Sequence, residues 1–244
     1  MPVLTPDIPK VEIAIVEMTN AFRREQKLAA VKPNARLSAA ARTYAVFLAQ
    51  SNLFSHTADG RQVDERVKAA GYTPCLVAEN LSLNMDSRGF PTVRLATDAV
   101  EGWKNSPGHR KNMLTPHVTE IGVAVAKAKN EEKYLSVQLF GRPQSLAYKF
   151  RIHNETRLTV HYLIGEEKYK LEPSYIMEHT VCLPDPVVFE RAGDGRSVKP
   201  LAGRYEAREG TTYVLRTLKD GNVKVDVVPG AAPERQSGGT SGKR

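Results

Sequence analysis

Cysteine is scarce in this chain: 244 residues hold two, Cys75 and Cys182. A disulfide-dense scaffold is thereby excluded, and an apolar core must supply the stability. The two thiols either bridge the halves of the chain in an oxidising compartment or are two unrelated buried thiols, and the sequence leaves both readings open. Long apolar runs are missing too. No stretch of about 18 apolar residues exists, which excludes a helical membrane span. The opening MPVLTPDIPK has no basic segment followed by an apolar one, so no signal peptide stands in the sequence as given. Either the protein stays inside, or this is a mature form with a new Met1. Blocks of like charge are absent as well. Net charge is +8, yet residues 1–144 carry 19 Lys/Arg against 14 Asp/Glu, so the excess is spread out. That pattern excludes a nucleic-acid arm; it serves solubility, or attraction to an anionic polymer.

What is present is the composition of a folded protein, 41% hydrophobic and 25% charged. Pro9–Ala29 reads as an amphipathic helix capped by Asp7, with Ile15, Met18 and Phe22 on one face. A second helix is expected from Ser38 as N-cap to about Asn52, with Ala41, Tyr44, Ala45 and Leu48 on its stripe. A short third helix, Val63–Ala70, stops at Gly71. A loop through Pro74 then leads to Ala78-Glu79-Asn80-Leu81, and Pro91 is placed in the first turn of a helix over Thr92–Lys104. Ile121, Val123 and Val125 alternate with Gly122, Ala124 and Ala126, a strand with one bulky face and one small face that a helix can approach closely. Leu135, Val137 and Leu139 repeat the alternation after a turn near Asn130, which predicts an antiparallel hairpin.

From Gln144 the pattern changes. Short β-type runs at Phe150/Ile152, Leu158–Tyr162, Ile176, Val187–Phe189, Tyr205, Tyr213–Leu215 and Val223–Val227 are separated by Gly and Pro turns. Their spacing suggests a small sandwich or barrel. Residues 231–244, rich in Gly, Ser and Pro, are expected to be a disordered tail. The domains predicted are therefore 1–144, 145–230 and that tail.

Three strings carry a resemblance: Phe54-Ser55-His56, Ala78-Glu79-Asn80, and Trp103–Leu114, reading WKNSPGHRKNML. In the last, Pro107-Gly108 is a strong breaker that fixes where His109 starts out. With these motifs in order over about residues 9–143, the chain resembles the CAP superfamily (cysteine-rich secretory proteins, antigen 5 and pathogenesis-related proteins; SCP-like), nearest to its bacterial branch. The resemblance implies an α+β fold, an α-β-α sandwich in the first domain followed by the small all-β domain. It also implies a periplasmic or secreted location, and a cleft formed by His56, Glu79, Ser106 and His109.

Two imidazoles and a carboxylate suit Zn²⁺ or another divalent cation, with His56 and His109 as the metal ligands. Spacing alone shows no metal site, since the two histidines lie far apart and no HExxH helix exists. Ordinary roles stay open beside this one: His56 as a helix-end cap, Glu79 as a holder of loop amides, His109 as a surface or capping residue. Trp103 reads as core filler, and His117, His153, His161 and His179 as surface or sheet histidines. One departure matters. The family's second glutamate, three residues after the tryptophan, is Ser106 here, and Glu101 lies on a different helical face. The reading implied is a non-catalytic extracytoplasmic module that binds a cell-envelope polymer or other extracellular ligand. The alternative is a metal-assisted hydrolase of peptide or peptidoglycan bonds with Glu79 as base; carriage of an apolar ligand, a sterol or lipid, is a third reading. Nucleic acid is not an expected partner.

Overall fold

The computed structural model describes residues 3–193, 199–201 and 203–230, so the expected tail at 231–244 lies outside the described residues. The chain divides into two compact units, Met1–Leu146 and Ala147–Arg244.

The first unit is a sheet with helices on both faces. Helix α1 (Ile8–Glu25) begins where the Asp7 carboxylate accepts the Lys10 N–H at 3.3 Å, with Pro9 in its first turn. After the two-residue strand β1 (Lys32–Pro33), α2 spans Ala35–Ser51. Its cap is Asn34, not Ser38: extended at φ −124°, Asn34 accepts from the amides of Arg36 and Leu37 at 2.9 and 3.2 Å. Ser38 already donates its own amide to the Asn34 carbonyl and so lies inside the first turn. Helix α3 (Val63–Ala69) is held by a reciprocal Gln62/Glu65 box and followed by Gly71 at φ +80°.

Strand β2 (Pro74–Met85) replaces the loop expected before Ala78. Then come α4 (Thr92–Asn105), with Pro91 just outside as its cap rather than in its first turn, and the short α5 (Pro107–Met113). The hairpin β3 (Glu120–Lys127) and β4 (Lys133–Pro143) closes the unit, with Asn130 left-handed at φ +63° in its turn. Sheet order is β1-β3-β4-β2, with β1 parallel and the rest antiparallel.

Alternation along the strands builds two cores. Ile121, Val123, Val125, Tyr134 and Phe140 pack with α1, α4 and Trp103 on one face. Ala124, Leu135, Val137, Leu139 and Leu81 pack with α2 and Val67 of α3 on the other. The result is an α-β-α sandwich. The small face of β3 does admit a helix: a Cβ on Gly122 would stand 2.3 Å from the Leu37 carbonyl carbon of α2.

The second unit is all-β. One sheet joins β10 (Lys199–Pro200), β9 (Pro186–Ala192), β6 (Val160–Ile164) and β7 (Glu167–Leu171), with β11 (Arg204–Glu206) also on β9. The other joins β13 (Val223–Val228), β12 (Thr212–Thr217), β5 (Tyr148–Asn154) and β8 (Ile176–Val181). Inward residues of both sheets, among them Phe150, Ile152, Tyr162, Phe189, Tyr213 and Leu215, share a single core, the arrangement of a sandwich. Among the described residues no helix is long and apolar enough to cross a membrane.

Candidate functional site

Strand β2 is the edge that organises the site. Successive side chains of a strand point to opposite faces. Glu79, opposite Leu139, therefore turns toward α2 and α3, and Asn80, opposite Gln138, toward α1 and α5. The turn between α2 and α3 carries His56, and α5 carries His109.

Glu79 is not a loop residue, as the sequence had suggested, but a buried strand carboxylate with 5% exposure. Its Oε1 meets the His56 Nδ1 at 2.8 Å. Arg66 of α3 donates Nη2 to Oε1 at 2.9 Å and to Oε2 at 2.8 Å. Two buried opposite charges in contact satisfy each other, where either alone would be costly. Arg66 does more. Its Nη1 donates to the His56 carbonyl at 3.0 Å, the Arg61 carbonyl at 2.7 Å and Asp59 Oδ1 at 3.2 Å. The guanidinium lies over the Tyr44 ring, 3.7 Å from its centroid. Tyr44 in turn binds the Ser55 carbonyl through its hydroxyl, which also accepts the Ala58 amide. His56 does not cap α2, which ends in the left-handed Asn52. Its loop is pinned from below while more than half of its side chain stays exposed.

Because a carboxylate only accepts, His56 carries its hydrogen on Nδ1 and presents Nε2. Asp59, flanked by Arg61 and Arg66, is held below the usual carboxylate range despite a desolvation cost that opposes it.

On the other face, Asn80 Nδ2 donates to the His109 carbonyl at 3.1 Å and to Gln138 Oε1 at 3.0 Å. Asn112 of α5 donates to Asn80 Oδ1 at 2.9 Å and to the Glu79 carbonyl at 3.0 Å. Gln138 continues the chain to the Thr19 hydroxyl of α1 at 2.9 Å. This buried amide network seats α5 on the strand edge. Trp103 is core, fully buried, with its indole N–H on the Leu81 carbonyl at 2.9 Å.

His109 is half-buried, and desolvation first, then repulsion from His56, holds its pKa below the usual histidine value. The charge of a protonated His56 thus acts on His109. Ser106 is half-buried in an extended conformation between α4 and α5, and its side chain makes no capping bond. Glu101 is occupied elsewhere, paired with Lys104 at 2.7 Å.

The sequence reading missed Arg66, Tyr44, Asn112 and Gln138. A signal was available only for Arg66, an arginine on the inward face of a short helix beside Val67. Among the described residues no group of three or more His, Cys, Asp or Glu is arranged to hold a metal. The remaining histidines are separate. His153 pairs with Glu155 at 3.3 Å, His117 sits in a loop at φ +66°, and His161 lies on β6. His179 is buried, its ring on the Tyr162 hydroxyl at 2.8 Å and beside Phe150 and Tyr169.

Comparison with known proteins places this geometry in context. The family model described as the cysteine-rich secretory protein family, CAP, matches residues 16–140. The uncharacterized protein YkwD of Bacillus subtilis (strain 168) is 33% identical over 119 residues, 48% of this chain and 43% of that one. The chain thus spans less than half the length of that curated relative. An extracellular protein containing an SCP domain from Bacillus anthracis superposes with TM-score 0.47 at 24% identity, covering 58% of this chain and 45% of the other. An outer surface protein from Borrelia burgdorferi superposes with TM-score 0.48 at 20% identity, covering 59% of this chain and 99% of the other.

Proposed function

The chain belongs to the cysteine-rich secretory protein (CAP) family, and from that premise we propose that it works outside the cytoplasm as a binding module for a cell-envelope polymer or other extracellular ligand, held at the His56/His109 cleft. The observation that carries the reading is the Arg66–Glu79–His56 chain. Both oxygens of Glu79 are bound by Arg66, and one also holds His56. A hydrolytic base must be free to take a proton from water. Glu79 orients an imidazole instead.

The donor set suits a divalent ion that prefers imidazole, Zn²⁺ among them. Zinc sites commonly use three or four protein ligands. Here the two ring nitrogens of His56 and His109 would hold the ion, and Ser106 adds no charge, so the fit is that of a weak site. The bound ion would supply a positive charge and open coordination positions for donors of the ligand. The chain's own part would be to hold the His56 ring through Glu79 and to lower the pKa of His109 by burial.

Calorimetric titration of Zn²⁺ into wild type and into the His56→Ala/His109→Ala variant tests this reading. Binding is expected in the first and absent in the second; equal binding overturns it. Wild type is expected to leave casein and peptidoglycan uncut. Cleavage that disappears in Glu79→Gln would replace the binding module with the hydrolase.

A further inference from the structure

The opposite edge of the first unit's sheet carries a second opening, away from the histidines. A groove of about 560 Å³ lies between α1 and α2, lined by Pro9, Ile13 and Val16 on one side, by Ala35 and Ala39 on the other, and floored by Ile121 and Val123 of β3. Ile13 is 58% exposed at its rim.

The floor is a stretch of open strand edge. In the β3–β4 ladder the even residues of β3 face β4, as the Ala128 amide on the Lys133 carbonyl shows, so the peptide groups of Ile121, Val123 and Val125 point outward. At one end the Ile121 carbonyl takes the Asn34 amide at 2.8 Å. At the other, Glu12 accepts the Val125 N–H at 2.8 Å, Arg42 donates to the Val125 carbonyl at 2.7 Å, and the two side chains pair with each other. Between these closed ends, the Val123 N–H and carbonyl point away from β4 and lie past the two residues that β1 pairs, and among the described residues no side chain bonds them, although the residue is only 5% exposed. Buried main-chain groups are almost always paired.

We propose that this groove binds the carboxy-terminal residues of an extended peptide that ends in a small or aliphatic side chain. One residue of extended chain supplies both the acceptor and the donor that Val123 calls for, as in strand addition. The walls take its apolar side chains. From Ile121 to Val125 is four residues of strand, roughly 13 Å, and both ends are blocked, which suits a chain end rather than a chain passing through. The terminal carboxylate would then meet Arg42, whose side chain is 44% exposed and keeps donors beyond those it spends on Glu12 and Val125.

The test is amide-resolved NMR of the full chain with acetyl-Ala-Leu-Ala as free acid, its C-terminal amide, and decanoate. The free acid is expected to shift the Val123 amide downfield and slow its exchange, and to bind about tenfold more tightly than the amide form, which is about 1.4 kcal/mol. Ala39→Trp, a surface change that fills the groove, is expected to abolish the effect while leaving the rest of the spectrum in place. Arg42→Gln is expected to abolish the preference for the free acid. An unmoved Val123 at millimolar peptide overturns the proposal. So does decanoate occupying the groove without competition from the peptide, which would make it an acyl-chain site. A Val123 shift that follows protein concentration alone would assign the groove to a second copy of the chain and likewise overturn it.

Discussion

One nitrogen of Arg66 bridges both oxygens of Glu79, at 2.9 and 2.8 Å, with each side chain less than 5% exposed. Removing one partner strands a buried charge, while removing both does not. Arg66→Met is expected to cost about 3–5 kcal/mol of stability in urea unfolding, together with the Tyr44 stacking. The Arg66→Met/Glu79→Gln double variant should be more stable than Arg66→Met alone. Strictly additive losses would mean that the pair is not coupled in solution.

Ser106, which stands where the resemblance expects the family's second glutamate, is uncharged. Ser106→Glu is expected to raise Zn²⁺ affinity about tenfold, because an added anion within about 4–6 Å stabilises a cation. Unchanged affinity would show that residue 106 faces away. Binding should also weaken with acid, since the ligands must be neutral. His109 is held below the usual value of 6.5, so on its account the loss begins below that pH.

Gly122 faces α2 at backbone contact, where an added Cβ would meet the Leu37 carbonyl carbon at 2.3 Å and the Ser38 nitrogen at 2.5 Å. Neither atom belongs to a side chain that can swing aside. Gly122→Ala should therefore destabilise the first unit by about 3 kcal/mol, the upper part of the range for overpacking. Ala126, further along the same face and only half-buried, should accept Ser within about 0.5 kcal/mol. Thermal melts of both variants distinguish close helix contact from a general intolerance of the strand.

His179 makes the second unit acid-sensitive. Burial lowers its pKa, and Glu167 opposes that only in part. The other titratable groups against the ring are the hydroxyls of Tyr162, whose pKa burial raises, and Tyr169, whose pKa is raised by its bond to Glu167 and then by burial. A histidine with a lowered folded-state pKa binds fewer protons folded than unfolded. Its stability is thus complete above about 6.5 and declines as pH falls below that value. Unfolding from pH 8 to pH 5 should show this loss in wild type and much less of it in His179→Phe.

Much of the first unit's framework was legible because period and spacing encode it. The alternation of Ile121, Val123 and Val125 with small residues located both the strand and the face that α2 approaches. The stripe of Ala41, Tyr44, Ala45 and Leu48 located α2 itself, all four being buried. Misreadings occurred where a local signal was ambiguous. Ser38 read as the cap of α2, but Asn34, four residues earlier and after Pro33, holds that place. Strand β2 is apolar on both faces from Leu76 to Ala78, so it shows no alternation and resembled a loop. Strand β7, EKYKL, offers only Tyr169 and Leu171 to the core. The partners of the candidate site were not legible for a different reason. Arg66 finds Glu79 because α3 folds back over β2, a relation that no spacing along the chain expresses.

The adjacency of Glu79 and Asn80 has a consequence for folding fidelity. One dipeptide on an edge strand holds a loop through a carboxylate and a short helix through an amide. Sliding β2 by one residue along β4 would send the carboxylate toward α5 and the amide toward Arg66. Such a chain would keep its helices and most of its hairpin and still have no cleft. The assembly of the two histidines is thus a readout of strand registration, and a sample that is folded by circular dichroism but misregistered at β2 would be silent to any ligand of the cleft.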